Sequence, residues 1–473
     1  MGQAGAERWN DRLRGRWRGP RSLTTVLPLD SGAGPGEDPA AARDRVRRLE
    51  PDLVQRLGEV SDLHFLRLVV VPADERTGQG LRLLLNVIHD RPLDEHLADL
   101  TRRAGDVLID MLGSTAPSGR PMDLPPFLLQ HRVRDDALYI GAVGRTVQEI
   151  QAERRLRDAL AERVDREEAS GRWESLDAEA ARRELRAIAR TEWTGPEFPL
   201  GRLPRPTRSQ RTLKLVDLAL VLTLFPIIGV LGYDLMDAVR RMEPGPKRAL
   251  TRMGAWIWWL WGAIPTAVAF LVVRGLELWE RPLEAPGPTE AELQALEQAE
   301  DERPRNELTV WFPVRDNWLS RVLLRVILFG AERGTRHFWA DGALAGARNI
   351  HYARILQVDG GRSMIFMSDY EGSFDAYIDH FVGIGGNHRA VVPISSRLAG
   401  CPKTRWLYLQ DDPPSFRPGW KQLIRTYQTD ASVWYSAYPD LTCNDVLNHA
   451  AIRDGLFADE LSDQEARAWA RRI

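Results

Sequence analysis

Cysteine and lysine are the scarce residues of this 473-residue chain. Cys401 and Cys443 are the only cysteines, too few for a disulfide framework or a cysteine-rich zinc site. Lysine occurs only at Lys214, Lys247, Lys403 and Lys421, so arginine carries almost all the positive charge. The formal net charge is -2, which gives no reason to expect nucleic acid as a partner. The N-terminus, MGQAGAERWNDRLRGRWRGPR, lacks the apolar core of a secretory signal, and Ala6 breaks the N-myristoylation pattern. No GxSxG, no HExxH and no nucleophile–histidine–carboxylate grouping is legible. GIGGNH (383–388) lacks the Lys-Ser/Thr ending of a phosphate loop and reads as a turn.

Charge is also missing from two stretches in mid-chain. LALVLTLFPIIGVLGY (218–233) and GAWIWWLWGAIPTAVAFLVV (254–273) contain no charged residue. As a helix the second would match the ~30 Å hydrocarbon core of a bilayer. Trp256, Trp258, Trp259 and Trp261 crowd one end of it, as indoles do at a headgroup interface. Pro226 and Pro265 sit mid-segment, where membrane helices tolerate proline. The expectation is a two-helix membrane hairpin over 214–281, with the lipid bilayer as a partner. Without a signal peptide, the soluble parts would lie on the cytoplasmic side of an inner membrane. The arginine-rich loop between the segments favours the cytoplasm too, so two kinked segments dipping into one leaflet is the alternative.

Around the hairpin the chain divides by composition. Residues 1–45 read as a flexible basic tail and 46–193 as a first folded unit with trailing helices. Residues 194–213 form a Pro-rich linker, 282–307 an acidic linker, and 308–473 a second unit. The two units rhyme. LHFLRLVVV (63–71) matches IHYARILQV (350–358), so that His64, Phe65 and Arg67 align with His351, Tyr352 and Arg354. LRLLLNVIHDRPLDEHLADL (81–100) lies beside RSMIFMSDYEGSFDAYIDHF (362–381), with Asp94 on Asp375. A third block, 138–160, aligns without a gap to 434–456, placing Tyr139 on Tyr435 and Thr146 on Thr442. Three blocks in the same order indicate a duplicated unit. Each unit reads as strand, hairpin, strand, helix, then strand and helix. The predicted fold is therefore α+β: two ferredoxin-like repeats pairing as a dimeric α/β-barrel-like unit, with the membrane hairpin inserted between them.

At HYAR (351–354) and SDYEGS (368–373) the chain resembles a family of uncharacterised bacterial proteins whose pattern is HFAR, strand, then (S/T)N(F/Y)DG. Asp369 stands in place of Asn, and Glu371 in place of Asp. The first copy keeps HFLR (64–67), but VIHDRP (87–92) has lost the Asn and the Gly. More remotely, the paired units resemble the dye-decolourising peroxidase and chlorite dismutase superfamily, which implies haem as the cofactor the fold would admit.

Strand alternation sets Arg354 with Tyr352, Leu356 and Val358 on one face and His351 with Ala353 and Ile355 on the other. The same parity separates His64 from Arg67. An arginine among apolar neighbours needs a carboxylate or an anionic ligand, and Asp375 and Asp94 are the expected partners. Each pair is read as a structural ion pair. The alternative, implied by the superfamily resemblance, has Arg354 and Asp375 facing peroxide over haem, with His351, His380 or His388 as the iron ligand. His89 and His96, seven apart and near Asp90, Asp94 and Glu95, match no metal-ligand spacing, so no metal is expected. The function expected is a membrane-anchored ligand-binding or scaffolding module. The alternative is a haem-dependent peroxidase-type oxidoreductase with its site in the C-terminal repeat.

Overall fold

The computed structural model describes residues 20–29, 38–74, 77–112, 123–171, 176–195, 305–337, 346–382, 388–402 and 416–473, with isolated positions between them. The first half runs β1 (Arg21–Pro28), α1 (Pro39–Leu57), β2 (Leu63–Val71), β3 (Arg82–His89), α2 (Leu93–Leu112), α3 (Leu124–Gln130), β4 (Arg132–Val133), β5 (Ala137–Ile140), α4 (Val147–Ala169) and α5 (Ala178–Thr191). The second runs β6 (Arg305–Pro313), α6 (Trp318–His337), β7 (Ile350–Val358), β8 (Ser363–Glu371), α7 (Phe374–Val382) and α8 (His388–Ser395). It continues through the short pair β9 (Thr404–Arg405) and β10 (Gln410–Asp411) to α9 (Phe416–Tyr427), β11 (Val433–Ser436), α10 (Cys443–Leu456) and α11 (Asp463–Ala470).

Two antiparallel sheets carry the fold, in the orders β11-β2-β3-β1-β4 and β5-β7-β8-β6. Every residue of β2 and β3 is buried, because both faces of the first sheet are covered; such strands read as continuous apolar runs. On its outer face, Leu66, Leu68, Leu85 and Val87 pack against Leu53, Leu97, Leu100 and Leu108 of α1 and α2. On the second sheet's outer face, Val310, Phe312 and Met364 pack against Tyr377, Ile378, Leu423 and Ile424 of α7 and α9. The inner faces meet each other: Val69 and Leu84 of the first sheet touch Trp311, Leu356, Ile365 and Met367 of the second. A separate helical layer of α4, α5, α10 and α11 closes around Leu156, Leu160, Leu185, Ile452 and Trp469. There the buried Arg182 donates to the carbonyls of Gly455, Leu456 and Ala458, at and just beyond the C-terminus of α10.

Three expectations are corrected. The units are not contiguous, since β5 pairs with β7 of the second half and β11 with β2 of the first. Each half thus completes the other's sheet. The presumed tail supplies β1 and the start of α1, and the acidic linker supplies the first residues of β6; β1 and β6 pair along their whole length with β3 and β8. The inserted membrane hairpin is not supported. Among the described residues no helix is long and apolar enough to cross a membrane. Run 218–233 lies outside the described residues, as does 254–273 except for Val268, Leu271 and Val272.

Candidate functional site

The two H-aromatic-x-R motifs sit at matching irregularities. A register shift interrupts β2–β3 between Leu63 and Phe65, and another interrupts β7–β8 between Ile350 and Tyr352. An extra residue in one strand breaks the alternation, and in both copies that residue is the histidine. The parity argument therefore fails: His64 and His351 enter the layer between the sheets, which the arginines also occupy. The His64 ring meets Tyr352 and Tyr438 edge-on at 5.7 Å, and His351 lies 5.7 Å from Phe65.

Each histidine is tied to a helix start through a carboxylate. His64 Nε2 is 2.8 Å from Asp90 Oδ1, and Asp90 accepts from the backbone N–H of Val147, the first residue of α4. His351 Nε2 is 2.7 Å from Glu371 Oε1, off the line a ring N–H would need. Glu371 accepts from the N–H of Cys443, the first residue of α10. Capping boxes at Thr146 and Thr442 fix these helix starts, whose unpaired N–H groups and positive dipole ends favour a carboxylate. Burial lowers the His351 pKa despite Glu371. Glu371 is held below its ordinary value because His351 and the Cys443 N–H outweigh burial. His351, Glu371 and Cys443 could together hold a metal ion. Burial and Glu371, however, drive the thiol pKa well up, and a ligating thiol must ionise.

Between the sheets, Arg67 is 1% exposed and donates to Glu307, the Leu308 carbonyl, Thr309, the Ser368 carbonyl and Asp369. Arg354 donates to Ser22 at 3.2 Å and lies 3.5 Å from the same Asp369. Burial, then the neighbouring Arg67, pulls its pKa down to about 10. Asp369 also accepts from the Trp434 indole at 3.0 Å. The expected partners are elsewhere. Asp94 is exposed at the start of α2, and Asp375 is exposed on α7, where it pairs with Lys421. Arg354 and Asp375 therefore do not share a site. Of the other candidate ligands, His380 is half-buried against Phe381, and the side chain of His388 lies outside the described residues.

The chemistry-bearing space is on the other face of the second sheet. A cavity of about 120 Å³ opens between it and its helices, bounded by Ala353, Ile355 and Phe366 of the sheet, Ile378 and Phe381 of α7, and Tyr139 of β5. Its origin is legible in the repeat: strand register places Leu66 of the first half where the second has Ala353, and Leu66 is fully buried. Tyr139 arrives on the exchanged strand, and its buried hydroxyl has no hydrogen-bond partner. Sequence reading paired Tyr139 with Tyr435 but could not place it here, because strand exchange leaves no local signal. No histidine borders the cavity among the described residues, so no described candidate histidine supplies a haem iron ligand there. No family model, curated protein or solved structure matches this chain.

Proposed function

We propose that the protein is a binding module for a small, mostly apolar molecule seated between its second sheet and the helices that cover it. The observation that carries this reading is the apolar cavity at Ala353, walled by side chains of the sheet, of α7 and of the exchanged strand β5. Binding sites are typically apolar hollows with a few polar groups that fix orientation. An apolar cavity of about 150 Å³ in another protein stays dry and binds benzene, so an apolar ligand of benzene or toluene size matches this one. The haem reading finds no histidine in the described wall, and the Arg354–Asp375 pair it needs is not assembled, so no catalytic step is derived from it. The bulged histidines and the buried arginines are read as the frame that joins the sheets.

The test uses toluene and phenol as probes. Each should raise the melting temperature of the full chain, and Ala353→Leu should abolish both shifts while leaving the circular dichroism spectrum unchanged. Probes that leave the wild-type melting temperature unmoved, or that act equally on folded Ala353→Leu, would sink the proposal.

A further inference from the structure

We propose that Tyr438 is a one-electron redox site: it yields an electron to a radical of the peroxyl class while His64 takes its proton. The site lies in the layer between the sheets and does not depend on the cavity or its ligand. Tyr438 follows the end of β11, and the β11–β2 pairing brings it to His64. Its hydroxyl is 2.8 Å from His64 Nδ1, and the Tyr352 hydroxyl is 3.2 Å from the same atom. His64, Tyr352 and Tyr438 are all buried.

Asp90 sets the direction of these bonds. Its carboxylate accepts from the Val147 N–H and from His64 Nε2. Nε2 therefore carries the ring proton, and Nδ1 presents its lone pair to the phenols. Tyr438, the nearer of the two, donates to that lone pair at the distance a general base requires. Arg305 lies 5.5 Å over the Tyr438 ring and opposes a positive charge left there by loss of the electron alone. Burial raises the Tyr438 pKa and so opposes loss of the proton alone. Electron and proton therefore leave in one step, and the imidazolium formed on His64 is stabilised by Asp90 in a low-dielectric surrounding.

The electron has a path of rings. Tyr438 meets Phe65 at 5.5 Å, and Phe65 stacks on the partly exposed Trp434 at 6.5 Å. The Trp434 indole donates to the Asp369 carboxylate, which favours the oxidised ring. In the full step the Tyr438 O–H bond breaks and an N–H bond forms at His64 Nδ1. The peroxyl radical gains the electron through Trp434 and a proton from solvent, becoming a hydroperoxide. Tyr438 is left as a neutral phenoxyl radical.

The other histidine supplies the control. His351 keeps the bulge, the carboxylate and the capped helix start. The repeat, however, sets Phe65 beside it where His64 has Tyr352, and Ala142 where His64 has Tyr438. The fold at this corner therefore does not ask for phenols. Only His64 has been given two.

The experiment oxidises the full chain with photogenerated ruthenium(III) tris-bipyridine, freezes it and records electron paramagnetic resonance. The wild type should show a neutral tyrosyl radical, and peroxyl radicals from a thermal azo initiator should produce the same signal. Tyr438→Phe should lose most of it, whereas Tyr435→Phe, which removes a partly buried tyrosine of β11, should keep it. In protein grown on histidine labelled with heavy nitrogen, the radical should show a hyperfine coupling to an imidazole nitrogen. The proposal is overturned if only tryptophan radicals form, if peroxyl radicals give no tyrosyl signal, or if folded Tyr438→Phe retains the full signal. Loss of the signal in Tyr435→Phe would overturn it too. Should Tyr438→Phe fail to fold, the wild-type coupling decides, since its absence rules out a phenoxyl held by His64.

Discussion

The two halves share a backbone plan, down to the bulged histidine and the capped helix that faces it, yet they differ in what fills the space beside the sheets. Leu66 in the first half stands where the second has Ala353, and the first helix layer is filled with leucine where the second leaves a cavity. The ring stack is histidine in one half and tyrosine in the other. Between the sheets, Ile88 occupies the place of Asp369, so a single carboxylate serves arginines from both halves. Duplication has kept the backbone pairing and released the side-chain layers. Chemistry peculiar to this protein is therefore sought where equivalent positions disagree.

The sharpest way to break this comparison is Asp369→Ile, which makes the halves alike between the sheets. It strands Arg67 and Arg354 without their shared carboxylate, and removing one partner of a buried ion pair costs about 3–5 kcal/mol. Urea denaturation measures this, and a loss below about 1 kcal/mol would mean that Glu307 and the backbone carbonyls suffice.

A reciprocal exchange tests the packing difference. Leu66→Ala should cost about 2–5 kcal/mol and give the first half a cavity of its own. Ala353→Leu enters space that is already empty and should change stability by less than about 1.5 kcal/mol. Equal costs for the two would show the second layer to be as tightly filled as the first.

A smaller effect is expected with pH. Burial holds His89 and His351 below the ordinary histidine pKa. As pH falls through about 6.5 the unfolded chain takes up protons that the folded chain refuses, so the stability is present above that pH and lost below it. Each group contributes a slope of up to about 1.4 kcal/mol per pH unit below that point. Denaturation midpoints at pH 7 and pH 5 should fall accordingly. His89→Phe should remove the first half's share and leave that of His351, and a pH-independent wild type would refute the assignment.

Much of this was legible in the sequence. The repeat emerges from the H-aromatic-x-R motifs, and the strands β2, β3, β7 and β8 from their apolar runs. The bulge was not, because a strand's period of two assumes that no residue is inserted, and the insertion fell on the histidine used to judge the faces. β1 was hidden because RSLTTVLP adjoins an arginine-rich stretch and a Gly/Pro-rich one, and composition outweighed eight residues of strand. The partners of Arg67 and Arg354 were missed for a related reason: proximity in sequence favoured Asp94 and Asp375, whereas Asp369 and Glu307 reach Arg67 from the opposite sheet. Tyr438 gave no sign at all, since the β11–β2 pairing is what brings it to His64.

The exchange of β5 and β11 also sets a timetable for synthesis. β2 cannot gain its neighbour β11 until more than three hundred further residues have been translated, roughly 20–70 s at about 5–20 residues per second. Throughout that interval the nascent first half presents an unpaired, mostly apolar edge strand, the kind of surface that seeds aggregation. Emergence of β11, rather than of the first half, is then the point at which this chain becomes safe from its neighbours.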